Sequence, residues 1–332
     1  MYPNRQENAT SPAVSLYNAK VTSYNDRINT EPVRRRQGGS VMKLTQLFSQ
    51  KKVVYSFEVF PPKKTSPVQT VYQTLEALSD LEPDFISVTY GAGGNPSDRS
   101  TLQIAQTIRQ QCGIEPVAHL TCLNSTREEI GQVLGELRDA GVENLLALRG
   151  DHNPDRPAAE DFRYAADLIR EIQAFGGFDI CAACYPECHP EAPTLEQDIL
   201  HLKEKVDAGA THLISQLFFD NNDFYSFLYR IRQAGITVPV EAGIMPVVNR
   251  RQIERMVSLC RASLPKKFVR MMHKYGDDPD AMRDAGIAYA VEQIVDLLAN
   301  GVQGIHLYTM NNTLVARRIS QAVASLIRCA NR

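Results

Sequence analysis

The chain has 332 residues, 43% hydrophobic and 22% charged, an ordinary globular composition. Its formal net charge of −2 gives no electrostatic case for nucleic acid or an anionic membrane surface as a partner, and no run of about 18 apolar residues offers a membrane-spanning helix. The seven cysteines are an odd number scattered through apolar segments, and no secretory signal core stands near the N-terminus, so the expectation is reduced thiols in a cytoplasmic protein.

Residues 1–41 are rich in Asn, Ser, Thr and Arg, hold few large apolar residues and show no periodicity, which predicts a disordered extension. It reads either as a flexible basic arm or as sequence upstream of a natural start at Met42. Glu7, Asp26 and Glu31 count against a transit peptide. From 42 to the end the sequence is patterned and reads as one domain, with no repeat and no interior linker.

Short apolar, β-branched runs recur at 53–60 (VVYSFEVF), 85–90, 115–122, 143–149, 179–185, 212–219, 238–245 and 304–309. Between them lie stretches with apolar residues at helical spacing. Val68, Val71, Leu75 and Leu78 step by three and four through 68–81, and Ile130, Val133, Leu134 and Leu137 through 126–140. Ser125 with Glu128 predicts a capping box, and Thr194 with Gln197 opens 194–208 by the same rule. Gly141 and Gly209 fall just past two helix ends, where a left-handed cap belongs. Strands alternating with helices pair in parallel through right-handed crossovers, and eight such units close as a (β/α)8 TIM barrel; a doubly wound open sheet is the rival. Residues 249–303 are too long for one connection, so an extra helix or two lies between strands seven and eight.

In such a barrel the chemistry gathers at the C-terminal strand ends. Polar residues stand there on nearly every strand: Glu58, Thr89 and Tyr90, His119 and Thr121, Arg149 and Asp151, Tyr185 with Glu187 and His189, Gln216, Glu241, and Tyr308. Glu58 shares a strand face with Ser56 and Phe60, opposite Phe57 and Val59. If that face is the barrel interior, desolvation raises the carboxyl's pKa and makes it a general acid; the structural alternative is a Glu paired with Lys63 or Lys64. "GAGG" at 91–94 lacks the third glycine and the following acid of a dinucleotide fingerprint and reads as an active-site loop. "RGD" at 149–151 ends a core strand. Cys181, Cys184, Cys188 and His189 have zinc-like spacing, but residues three apart on a strand face opposite ways, so no metal site is expected.

The stretches "SFEVFPPK", "FISVTYGAGG", "HLTC", "LALRGD", "YPECHPEA", "LKEKVDAGATHLISQLFFD", "AGIMPV" and "LYTMN" occur in order and touch every strand. With them the chain from about Met42 resembles methylenetetrahydrofolate reductase of the bacterial single-domain type. The resemblance implies an FAD-containing barrel, commonly a homo-oligomer, that reduces 5,10-methylenetetrahydrofolate to 5-methyltetrahydrofolate with NADH or NADPH in a ping-pong scheme. It implies that Glu58 is the general acid for opening the folate imidazolidine ring, and that Asp151 is the carboxylate near flavin and pterin. Gln216 matches a residue contacting folate and the nicotinamide side, and Tyr308 an aromatic near the flavin. Thr89, Tyr90, His119, Leu148, Arg149, Gly150, Asp151, Ala183, Tyr185, His189, Asp198 and Lys205 match positions that hold FAD, with Arg149 and Lys205 the cations for its pyrophosphate.

The chain departs from the family pattern at a few places. Asn312 stands where the family often has an arginine for the folate tail, leaving Arg317 or Arg318 as substitutes. Asn249 and Arg250 stand where an aromatic often follows "MPV", and His201 and Glu204 differ on the adenine side. Two alternatives to the reductase are a proline-dehydrogenase-like flavin barrel and a flavoprotein subunit that a redox partner, not NAD(P)H, reduces.

Overall fold

A computed structural model describes residues 42–62, 69–90, 99–152 and 159–332. The extension at 1–41, the GAGG loop and Lys63 and Lys64 lie outside the described residues.

Eight parallel strands close in chain order: β1 (Val54–Val59), β2 (Phe85–Val88), β3 (Glu115–Thr121), β4 (Asn144–Leu148), β5 (Asp179–Cys184), β6 (His212–Ser215), β7 (Val240–Ile244) and β8 (Gly304–Tyr308). The rival open sheet is excluded, because β1 pairs with β8 from Val54↔Gly304 to Glu58↔Tyr308. Helices α1 (Leu44–Gln50), α2 (Gln69–Ser79), α3 (Ser100–Thr107), α4 (Arg127–Asp139), α5 (Ala165–Phe175), α6 (Leu195–Asp207) and α7 (Asn221–Gln233) precede β7. Between β7 and β8 stand three helices, α8 (Arg250–Cys260), α9 (Lys266–Tyr275) and α10 (Pro279–Ala299), two beyond the one a repeat requires; α11 (Thr313–Ala330) follows β8.

Side-chain alternation sorts each strand into two surfaces. Outward residues such as Phe57, Val59, Ile86, Leu120, Leu145, Ile180, Cys184, Leu213 and Ile305 join Leu75, Ile104, Ile130, Ile169 and Ile319 of the helices in one core. Inward residues at the strand starts, Val54, Phe85, Val117, Leu146, Cys181 and Ile214, form a second core with Leu44 and Leu47. Cys181 and Cys184 therefore do face opposite ways.

Helix α1, which periodicity did not reveal, plugs the N-terminal mouth. Its N-cap Lys43 gives no side-chain cap. Strand starts supply what is missing: Met42 N donates to Glu115 (3.1 Å), Leu44 N to Asn144 (3.0 Å) and Thr45 N to Asp179 (2.7 Å). Carboxylates there also oppose the positive end of the helix dipole.

Two local expectations shift. The capping box of α4 is Thr126 with Glu129, closed in both directions at 3.2 and 2.8 Å, one residue beyond Ser125. The run "STREE" offers both registers, and Ser125 is buried instead. Thr194 does cap α6, and Gly141 and Gly209 carry φ of 76° and 124°. The run at 212–219 stops pairing at Ser215; Leu217 and Phe219 are apolar because they pack with Met245, Val247, Phe268 and Met282 under the extra helices.

Candidate active site

The upper interior of the barrel is polar, unlike the branched aliphatic filling usual for this architecture. Glu58, the fifth residue of β1, is 7% exposed and faces inward. Its Oε2 lies 3.6 Å from His119 Nε2 and 3.9 Å from His306 Nε2. As strand alternation predicts, Phe57 and Val59 point away into the outer core, and what surrounds the carboxyl is imidazole and phenol. Burial pushes His119 down to about 4, so a neutral ring offers Glu58 a hydrogen-bonding edge without a full positive charge. His119 Nε2 has no hydrogen-bond partner, the Glu58 oxygen standing just beyond bonding distance. Tyr308 donates to Ser215 O at 2.7 Å, and burial, followed by the Glu58 charge, holds its phenol far above the usual range.

A second group lies at the ends of β4 and β5. Arg149 grips Glu191 with both terminal nitrogens, at 2.5 and 2.7 Å. Glu191 N donates to His189 Nδ1 (3.1 Å), and His189 N donates to Asp198 (2.8 Å). Lys205 is half-buried and donates to Ala183 O at 2.6 Å; its pKa is lowered by desolvation and partly restored by Cys184 and Asp198. Gly150 has φ 85°, next to Thr121 of β3, and Leu148 ends β4 paired with Thr121. Tyr185 packs edge-on against His189 at 4.7 Å and hydrogen-bonds Gln216, joining this group to β6. Asp151 is exposed at the rim, its backbone carbonyl accepting from Asn124 at 3.1 Å, and its charge is felt at Tyr185 and Arg149. Tyr90 shares a recess with His119, and Thr89 N extends the β1 ladder by bonding Val59 O at 3.1 Å.

Glu241 is the one rim candidate the fold relocates. It is the second residue of β7, mid-barrel and fully buried. Ser56 and His306, which sequence reasoning did not single out, join it there. Strand alternation carried the signal, since Ser56 and His306 lie two residues before Glu58 and Tyr308.

Departures from the family pattern find local roles. Asn312 caps α11 through Val315 N (3.1 Å), and Asn249 caps α8 through Arg251 N (2.9 Å). Arg317 is held by Ala77 O and Asp80, and Arg318 by Asp284, so neither substitute for a folate-tail arginine reaches for the mouth. His201 stacks on Tyr164 at 6.0 Å and lies 3.7 Å from Glu204. Among the described residues no helix is long and apolar enough to cross a membrane.

The family model described as methylenetetrahydrofolate reductase matches residues 43–324. The chain belongs to the methylenetetrahydrofolate reductase family. It is 36% identical over 262 residues to the 5,10-methylenetetrahydrofolate reductase of Pectobacterium carotovorum subsp. carotovorum, covering 79% of this chain and 87% of that one. The enzyme of Escherichia coli strain K12 is 37% identical over 79% of this chain and 88% of its own. An Arabidopsis thaliana relative named methylenetetrahydrofolate reductase (NADH) 1 is 35% identical across 82% of this chain, which spans 48% of that protein. In fold the chain is similar to a Clostridium thermocellum protein that binds two copies of 5-methyl-5,6,7,8-tetrahydrofolic acid, with TM-score 0.62, 11% identity, and coverage of 87% and 100%.

Proposed function

We propose that this family member reduces 5,10-methylenetetrahydrofolate to 5-methyltetrahydrofolate with NADH or NADPH, the two substrates taking turns at one FAD. The observation that carries the reading is Glu58: an acid withdrawn from water at the β1 rim, flanked by two histidines, in the mouth that also presents Arg149 and Lys205.

The donor set fits FAD. Arg149 already holds a paired oxyanion, the Glu191 carboxylate, in the forked geometry a pyrophosphate requires, and Lys205 of α6 brings a half-buried ammonium to the adjoining strand β5 at Ala183 O. Thr89, Tyr90, Leu148, Gly150, Ala183, Tyr185, His189 and Asp198 complete the residues that would hold the cofactor. When bound, FAD supplies the hydride relay between nicotinamide and folate.

The chain's own part is acid catalysis and orientation. Glu58 delivers a proton to the folate nitrogen that departs as the imidazolidine ring opens to the iminium. Gln216 and Asp151 orient the pterin, and Tyr308, anchored on Ser215 O, walls the site from the β8 side.

The test is anaerobic. Purified protein with a flavin spectrum should bleach with NADH or NADPH and regain colour with methylenetetrahydrofolate. Reduction by proline but by neither nucleotide assigns the proline-dehydrogenase reading. Refusal of both nucleotides and of proline with flavin bound assigns the partner-fed subunit.

A further inference from the structure

Beneath Glu58 the barrel interior holds a second acid that the reaction as outlined does not use. Glu241 is 0% exposed. Room for it is built into the neighbouring strand: a Cβ at Gly304, its partner on β8, would sit 2.5 Å from Glu241 Cγ. Its Oε2 lies 2.6 Å from Ser56 Oγ, and Ser56 Oγ lies 2.7 Å from His306 Nδ1. The other face of that ring, Nε2, stands 3.5 Å from Ser87 Oγ and 3.9 Å from Glu58 Oε2. Glu241 Oε1 has no hydrogen-bond partner. A line of polar atoms thus runs from an enclosed carboxyl, through a hydroxyl and an imidazole, to the acid at the mouth.

We propose that Glu241 is a positioning residue that, through Ser56, sets the tautomer of His306 and with it the edge the imidazole turns toward Glu58. A hydroxyl has one proton to give, and a neutral imidazole has one donor and one acceptor nitrogen. With Glu241 protonated, its O–H donates to Ser56, Ser56 donates to Nδ1, and the ring proton sits on Nε2, facing Glu58. With Glu241 ionised it only accepts. Ser56 must then turn its proton to Glu241, Nδ1 must carry the ring proton to bond Ser56, and a bare Nε2 faces Glu58. The first state turns a donor toward Glu58; the second turns an acceptor toward it. The Nε2–Glu58 separation exceeds a hydrogen bond in the free protein, as catalytic contacts often do before substrate tightens them.

The surroundings leave Glu241 as the group that switches near neutrality. Desolvation pushes it up to about 8, against a lowering by Ser56 and with a small raising by Asp84. Across from it the Cys181 thiol is raised far above its usual range by burial. His119 and His212, both felt by or feeling His306, are pushed down to about 4 by burial and stay neutral. Tyr308 stays a phenol. Asp84 is tied to Lys51 and Tyr55 N.

The catalytic consequence rests on the reading of Glu58 as the acid of this site; the tautomer itself is read without any turnover. Protein labelled with 15N-histidine is followed by NMR through the alkaline range, with His306 assigned by its absence in His306→Gln. The wild type should show Nε2–H below about pH 8 and Nδ1–H above, with about tenfold less of the first form remaining at about pH 9. Ser56→Ala and Glu241→Gln should each abolish that crossover, and the double variant should add nothing further. A wild-type ring that keeps Nε2–H throughout, or becomes doubly protonated, overturns the proposal. Single-turnover folate reduction, referenced to flavin reduction by NADH in the same protein, should lose the same inflection in both variants; unchanged pH profiles in both also overturn it. Should the protein not reduce methylenetetrahydrofolate, the functional reading falls while the NMR measurement still decides this one.

Discussion

Glu241→Gln separates the acid's charge from its shape. In the folded protein the carboxyl is raised to about 8 by desolvation, against 4.5 for the free group. A raised acid binds its proton in the folded state over a window in which the unfolded chain has released it. The stabilisation is fully present below 4.5 and is lost as pH climbs through that window toward 8. The slope is about 1.4 kcal/mol per pH unit, so wild type should lose on the order of 4 kcal/mol of unfolding free energy from this group between about pH 5 and about pH 8. The glutamine keeps the volume and cannot ionise. Urea unfolding at a series of pH values, at fixed protein concentration, should give a stability difference between wild type and variant that closes by that amount as pH rises. His119 and His212, lowered to about 4, erode stability on the opposite flank as pH falls below 6.5, and this cancels in the comparison. A wild-type to variant difference that stays constant across the range would refute the argument, because Glu241 would then titrate alike in both states.

Glu58→Gln should leave flavin reduction by NADH intact and slow folate reduction by roughly 100- to 10,000-fold, the range of a positioned general acid; equal loss in both half-reactions would contradict that role. Arg149→Met and Lys205→Met should each weaken FAD binding by about 1.5–3 kcal/mol, measured by flavin fluorescence on cofactor-depleted protein, as the loss of a charge-assisted hydrogen bond implies. Asn312→Ala should cost about 1 kcal/mol of stability through the lost cap on α11 and leave the folate KM unchanged; a KM effect without a stability effect would make it a substrate contact. Removal of residues 1–41 should spare FAD content and activity. Extending the deletion through α1 should not, because it takes Leu44 and Leu47 out of the barrel floor; the melting temperature and flavin content of the two truncations settle this.

Much of the barrel was legible because strand and helix periods differ and eight alternations leave few ways to close. Strand ends were the weak point. A run such as "SQLFF" is apolar whether it pairs in a sheet or packs under helices, and only the extra helices decide that it leaves the barrel at Ser215. Helix α1 was invisible for a related reason: it is short, has no cap of its own, and takes its capping groups from Glu115, Asn144 and Asp179, which no local window contains. At the site, Glu58 was legible as a charge in an apolar run, and the β4–β5 group as a density of polar residues at strand ends. Glu241 was misplaced on the rim because its run was read by composition, whereas the register places it opposite Gly304, at the start of β8.

The two faces of the strands divide the work. The outer face is continuous with the helices and carries the larger apolar cluster. That frees the inner face above the α1 plug to bury Ser56, Ser87, His119, Glu241 and His306, groups that would be costly in a core with no other source of stability. The enclosed acid is tolerable because burial keeps it protonated near neutrality, and in that form it is a hydrogen-bond donor in a place water does not reach. The line of polar atoms that begins there, on the inference above, answers to pH through one carboxyl and ends beside Glu58, the acid proposed to act on substrate. The polar column is thus most economically understood as the foundation of Glu58, with the acid at the mouth taking its hydrogen-bonding surroundings from two layers of barrel interior.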